Sequence, residues 1–358
     1  MRTVFVIGAG TNVEIGMPSG HELKTKIADI LNISREKDGT FGGDEIVHGA
    51  LNLQARGPNE TFHSIMYDDL IKAAVNTSNA MALSGSIDNF IESRKHEPGI
   101  AYCGKLAITK AIIDAENCCA LPHDNNKPLS RTIREKNEDL LKTSWYPLIF
   151  QKIVEGCQIN MLAERLDDIS FIIFNYDRCF EYFMYNSLMT YYNINHEVAK
   201  SFIQNLHINH PYGTVGDLWD DRDRLTFGRK PDATQLLSLV KKIKTFTENA
   251  RDEAETSNNR IIYLIERADR IVFLGFAYHD QNTDVLFKQP GKLYVVDGVG
   301  LRDSVVCYGT GYDFSDNDIT LICNDLKEKD KRISSINILP VKCSEFFQKF
   351  IRELSFKS

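Results

Sequence analysis

Five short stretches carry the residue types that could do chemistry. The first is Gly8-Ala9-Gly10-Thr11-Asn12, closed further on by Gly16 and Pro18. Glycines at such a turn let backbone N–H groups approach a pyrophosphate, and a helix opening at Ser19 would add the positive end of its dipole. The second is Asn175-Tyr176-Asp177. An asparagine side chain donates and accepts, whereas an ionised aspartate only accepts. That pair suits a sugar hydroxyl or an ordered water, although Asp177 would serve equally as a helix cap. The third is His207-Ile208-Asn209-His210-Pro211-Tyr212-Gly213, which sets a histidine ahead of a Pro–Tyr–Gly turn. A general base there could reach a hydroxyl or a water. Most of the nine histidines are inert by default. The fourth is Gly275, where a backbone can again come close, and the fifth is Asp297, which could accept from a ribose hydroxyl.

These residues need elements to position them. Each stretch follows an apolar or β-branched run: Thr3–Ile7, Ile169–Phe174, Asn205–Asn209, Arg270–Leu274 and Leu293–Val296. Such runs, apolar on both faces, read as buried strands of a parallel sheet. Ser19 and Glu22 form a capping box for a helix reaching about Leu31, with Leu23, Ile27, Ile30 and Leu31 on one face. Helices are expected over Arg178–Tyr192 and within 233–267, with a closing strand over Ile336–Val341 and a helix over Ser344–Leu354. Alternating strands and helices with right-handed crossovers predict an α/β fold with a doubly wound parallel sheet. Residues 35–165 break that rhythm and read as a mostly helical insertion. Its helices are expected at Ile87–Ser93, Gly104–Asn117 and Trp145–Leu166, with an exposed loop over Leu121–Arg134. The predicted organisation is therefore a core of 1–34 and 166–358 interrupted by 35–165.

Composition excludes several classes. The 358 residues are 43% hydrophobic and 25% charged, a soluble globular balance. With 42 Lys and Arg against 49 Asp and Glu, the net charge is −7, so direct nucleic-acid binding is not expected. No apolar run approaches the ~18 residues of a membrane helix. The apolar run after Met1-Arg2 is too short for a secretory signal, so a cytoplasmic protein is expected. The eight cysteines hold no Cys-x-x-Cys pair, so neither a zinc ribbon nor another bound metal is expected. A hydride-transfer enzyme is disfavoured. The third glycine of its fingerprint is replaced by Val13, and no acid-terminated strand follows about 20 residues on.

In this order, Gly-Ala-Gly, Asn-x-Asp, His before Gly, strand–Gly and strand–Asp–Gly resemble the sirtuin-like family, closest to its bacterial antiphage-defence branch. The resemblance covers about 1–30 and 168–300, with Ser86-Ile87-Asp88-Asn89-Phe90 similar to a helix start in that branch's insertion. It implies a Rossmann-like NAD-binding core and cleavage of the nicotinamide–ribose bond. Asn175 matches the family's essential asparagine and His210 its catalytic histidine, with His207 as a rival. Gly8, Ala9, Gly10, Thr11, Asn12, Gly16, Pro18, Asp177, Gly275 and Asp297 are the implied NAD contacts. The deacylases' His-Gly dipeptide and zinc ribbon have no counterpart, which favours an NAD hydrolase over a protein-lysine deacylase or a non-catalytic NAD- or ADP-ribose-binding subunit. The resemblance further implies a homo-oligomer and a separate defence partner such as a HerA-type ATPase.

Overall fold

Thr3-Val4-Phe5-Val6-Ile7 forms β1 (Thr3–Ile7), and all five of its residues are buried. A strand buried on both faces needs neighbours on both edges and cover on both sides. The computed structural model shows both. It describes residues 1–34, 42–56, 64–94, 96–121, 131–219, 225–244, 248, 254–288 and 300–356. Among them one six-stranded parallel sheet is formed by β1, β2 (Ile169–Ile173), β3 (His207–Asn209), β4 (Arg270–Leu274), β5 (Val305–Thr310) and β6 (Ile333–Leu339). The strand order is β3-β2-β1-β4-β5-β6. This is the doubly wound order of a Rossmann-like α/β fold, whose winding reverses between β1 and β4.

The register fixes what emerges at that reversal. Ile7 lies level with Ile173 on one side and Leu274 on the other. Gly8, Phe174 and Gly275 therefore leave the sheet side by side. Asn209 is level with Ile172, so His210 leaves one step lower, next to the same edge.

Helix α1 (Gly20–Leu31) starts at the Ser19–Glu22 capping box and buries Ile27 and Leu31, with Leu23 and Ile30 packed at the core's margin. Between α1 and β2 come α2 (Glu45–Arg56), α3 (Ser64–Ala80), α4 (Ile87–Ser93), α5 (Pro98–Cys118), α6 (Arg131–Thr143), α7 (Trp145–Val154) and α8 (Leu162–Asp167). Two expectations are corrected here. The exposed loop was expected to run to Arg134, but α6 already begins at Arg131; residues 122–130 lie outside the described residues. The single helix expected over Trp145–Leu166 is two, because Gly156 turns the chain with φ +65° after α7 ends.

After β2 come α9 (Cys179–Tyr192) and α10 (His196–Asn205), then β3, α11 (Ala233–Leu239) and α12 (Ala254–Glu266). The last described helices are α13 (Asp280–Leu286), α14 (Asp316–Lys329) and α15 (Cys343–Lys349). The expected strand Leu293–Val296 lies outside the described residues, whereas β5 and α14 were not anticipated. An aromatic column ties these layers together. Phe5 stacks on Phe171 at 5.3 Å, Phe171 meets Phe180 at 4.4 Å, and Trp145 stacks between Phe180 and Phe347.

Candidate active site

The site begins at the winding reversal, where two loops touch backbone to backbone. Gly8 N donates to Leu274 O at 2.9 Å and Gly10 N to Gly275 O at 3.0 Å, while Thr11 N donates to Gly8 O at 3.1 Å. A Cβ on Gly8 would stand 2.5 Å from Gly275 O, and one on Gly275 would stand 2.2 Å from Thr11 N. Gly275 also has φ +54°, in the left-handed region that favours glycine. These glycines are thus explained by loop-to-loop contact. The expectation that their amides face a pyrophosphate is corrected for Gly8, Gly10 and Thr11, since those donors already serve protein carbonyls. A 3₁₀ helix over Ala9–Ile15 follows Gly8 directly, ahead of α1. It ends at Gly16, whose φ is +84°. Pro18 lies just outside the Ser19 cap. Ala9 and Gly10 are exposed at the mouth of the crevice.

Beneath that mouth lies a locked polar floor. Asn12 is buried, and its Nδ2 donates to both carboxylate oxygens of Asp177 at 2.9 and 2.8 Å. Tyr146 OH, brought in by α7, donates to Asn12 Oδ1 at 2.8 Å. Asp177 also accepts from Cys179 N at 3.0 Å, so it caps α9 as well. Burial, then the charge of Glu116, pushes the Asp177 carboxyl up to about 6. Asn12 and Asp177 are therefore engaged with each other rather than presented to a ligand. Next to them Arg178 and Glu116 form a fully buried ion pair at 2.6 Å, with the Arg178 backbone N–H also donating to Glu116 at 2.8 Å. Glu116 belongs to α5, so this pair joins the helical insertion to the start of α9.

Asn175 and His210 come together above the ends of β2 and β3. His210 Nδ1 lies 3.1 Å from the Asn175 backbone oxygen, and Nε2 lies 2.7 Å from Glu181 Oε1 on the first turn of α9. The His210 and Glu181 side chains are only 11% and 14% exposed. A carbonyl and a carboxylate both accept, so a ring bonded to both donates from both nitrogens, as the imidazolium does. Burial pulls the His210 pKa down, but the Glu181 charge and hydrogen bond outweigh it, and the net shift is upward. Asn175 is 6% exposed, and its Oδ1 is buried without a hydrogen-bond partner among the described residues. Glu181 Oε2 is in the same state. The rival His207 opens β3 opposite Ser170, at the strand's other end.

An aromatic wall adjoins this group. Phe174 meets Tyr212 at 5.7 Å and Phe276 at 5.1 Å. Tyr176 OH donates to Asp88 Oδ1 at 2.9 Å and Tyr212 OH to Asn282 Oδ1 at 2.8 Å. Asp88 arrives from α4, and burial pushes its carboxyl pKa up. The Pro–Tyr–Gly turn is pinned by Lys244 N donating to Tyr212 O at 2.9 Å. Gly213 is required there, with φ +72° and Lys242 O only 1.9 Å from where a Cβ would sit.

The structure thus gathers Gly8, Gly10, Thr11, Asn12, Asn175, Asp177, His210 and Gly275 at one end of the sheet. Asp297 lies outside the described residues. Sequence reasoning missed Glu181, Glu116 and Tyr146 and gave Asp88 no role. Glu181 alone left a usable signal, an acid in the first turn of the helix that follows Asn175. Among the described residues no group of three or more His, Cys, Asp or Glu side chains is placed to hold a metal ion, and no helix is long and apolar enough to cross a membrane. Comparison with known proteins matches this chain to no family model, no curated protein and no solved structure.

Proposed function

We propose that this protein is a sirtuin-like NAD hydrolase that cleaves NAD to ADP-ribose and nicotinamide, depleting NAD in antiphage defence from within an oligomer or a complex with a partner such as a HerA-type ATPase. The observation that carries the reading is the meeting of Asn175 and His210, 3.1 Å apart, beside the paired Gly8 and Gly275 loops. The buried, unpartnered Asn175 Oδ1 suits a ribose hydroxyl or an attacking water, either of which supplies the missing donor.

The chemistry asks little of the protein beyond placement. Nicotinamide is a cationic leaving group that departs neutral, so no strong acid is needed. The transition state resembles an oxocarbenium ion, as in glycoside hydrolysis. Asn175 orients the ribose or the water, and the His210–Glu181 pair takes up the proton that water loses. Positioning of this kind supplies several kcal/mol, and proton transfer adds ~10²–10⁴-fold.

Asn175→Ala and His210→Ala are each expected to lower nicotinamide release at least ~100-fold in protein that still folds and melts cooperatively, with His210→Ala melting lower because it strands the Glu181 carboxylate. Chromatography of NAD incubations, with and without candidate activators, reads this out. Turnover at the wild-type rate in either variant removes that residue from the mechanism. Tight NAD binding without products would instead select a binding-only role.

A further inference from the structure

We propose that the proton-accepting atom of this cleft is Glu181 Oε2, with His210 held beside it as a fixed cation rather than acting as the base itself. The inference rests on the NAD-hydrolase reading for its substrate and on the geometry of the pair for everything else.

A general base needs a free lone pair. His210 offers none, since Nδ1 faces the Asn175 carbonyl at 3.1 Å and Nε2 faces Glu181 Oε1 at 2.7 Å. Glu181 uses one oxygen in that contact and keeps the other buried with no partner among the described residues. Asn175 Oδ1 is a second unpartnered acceptor on a residue that touches the same ring. Buried acceptors are normally satisfied, so two around one imidazole point to a donor that enters the cleft. A water or a sugar hydroxyl carries that donor. Glu181 is also the third residue of α9, a helix of 14 residues, close to the positive end of its dipole.

The other charged groups facing the pair do not displace it. Asp177, from the loop after β2, supports the charge on His210. Arg178 is already neutralised by Glu116 at 2.6 Å. Tyr146, from α7, is held well above its ordinary pKa by burial and stays protonated. In the step itself, a water oxygen bonds to the ribose C1′ as the C1′–N bond breaks. The electron pair of that bond remains on the nicotinamide nitrogen, which leaves neutral. The water proton passes to Glu181 Oε2 and from there to solvent, so His210 keeps its own.

The test uses the full chain, Glu181→Gln and Glu181→Asp, with nicotinamide release, NAD affinity and nitrogen NMR of His210 as readouts. Glu181→Gln is expected to lower kcat at least ~100-fold with NAD affinity nearly unchanged, whereas Glu181→Asp, which keeps a carboxylate, recovers part of it. Wild-type kcat is expected to fall in alkali as His210, whose pKa is raised beside Glu181, loses its proton. His210 is expected to carry protons on both nitrogens at neutral pH in the wild type. Retained kcat in Glu181→Gln, a single rising pH limb, or a neutral His210 in the wild type overturns the proposal. Should the wild type leave NAD intact both with and without candidate activators, the hydrolase reading fails, and the NMR result still decides the ion pair. A doubly protonated ring supports it and a neutral ring overturns it.

Discussion

At the scale of single residues, placement changes what a side chain can do. Asp177 has the type expected of a ligand contact, yet it holds Asn12 and caps α9. Its carboxyl is pushed up to about 6 from an ordinary 3.8, because burial and Glu116 disfavour the charge. The folded state therefore binds this proton more tightly than the unfolded chain. Its stabilising contribution is fully present below the ordinary range and is lost as pH rises through about 6. Asp177→Asn cannot titrate. The stability of the wild type relative to this variant should thus be greater at about pH 4.5 than at about pH 7.5, by up to about 2 kcal/mol. Denaturant unfolding at the two pH values checks this, and an unchanged difference would contradict it.

At the scale of elements, the crevice is shaped by backbone contact between loops far apart in the chain. Gly8→Ala puts a methyl carbon 2.5 Å from Gly275 O. It should cost about 2–4 kcal/mol, as overpacking against an unyielding backbone does. Gly20→Ala, at the open first turn of α1, should be neutral or stabilise by up to about 1 kcal/mol. Paired thermal melts separate the two, and equal shifts would sink the loop-packing explanation. Much of this level was legible in the residues themselves. The β-branched runs of β1 and β4 and the Ser19–Glu22 box declare their elements locally. What was not legible depends on distant partners. Nothing near Gly8 reveals that its amide meets Leu274, and Glu181 gains its meaning only from a histidine 29 residues on. β5 escaped notice because its Cys307 and Gly309 interrupt the β-branched pattern, even though its position between β4 and β6 makes it a strand.

At the scale of the whole molecule, the insertion and the core are joined by buried charge. Glu116 of α5 and Arg178 at the start of α9 are 0% and 2% exposed. Glu116→Gln removes one charge and strands the other, so it should cost about 3–5 kcal/mol, while replacing both by methionine should return most of that loss. Equal destabilisation in single and double variants would contradict the assignment. Glu14 adds a second tie, accepting from Trp145 N at 2.8 Å and from Ser344 N at 3.0 Å, so one carboxylate serves the starts of α7 and α15. These ties anchor the loops around the site, while Ala9 and Gly10 stay exposed to solvent. Under the proposed function, NAD is cleaved where β1, β2, β3 and β4 end. The most direct measurement is a crystal structure of the protein with a non-cleavable NAD analogue. The nicotinamide ribose is expected within hydrogen-bond reach of Asn175 Oδ1 and Glu181 Oε2, with the adenosine half toward Gly275. An analogue seated elsewhere on the molecule, or failing to bind at saturating concentration, would contradict it.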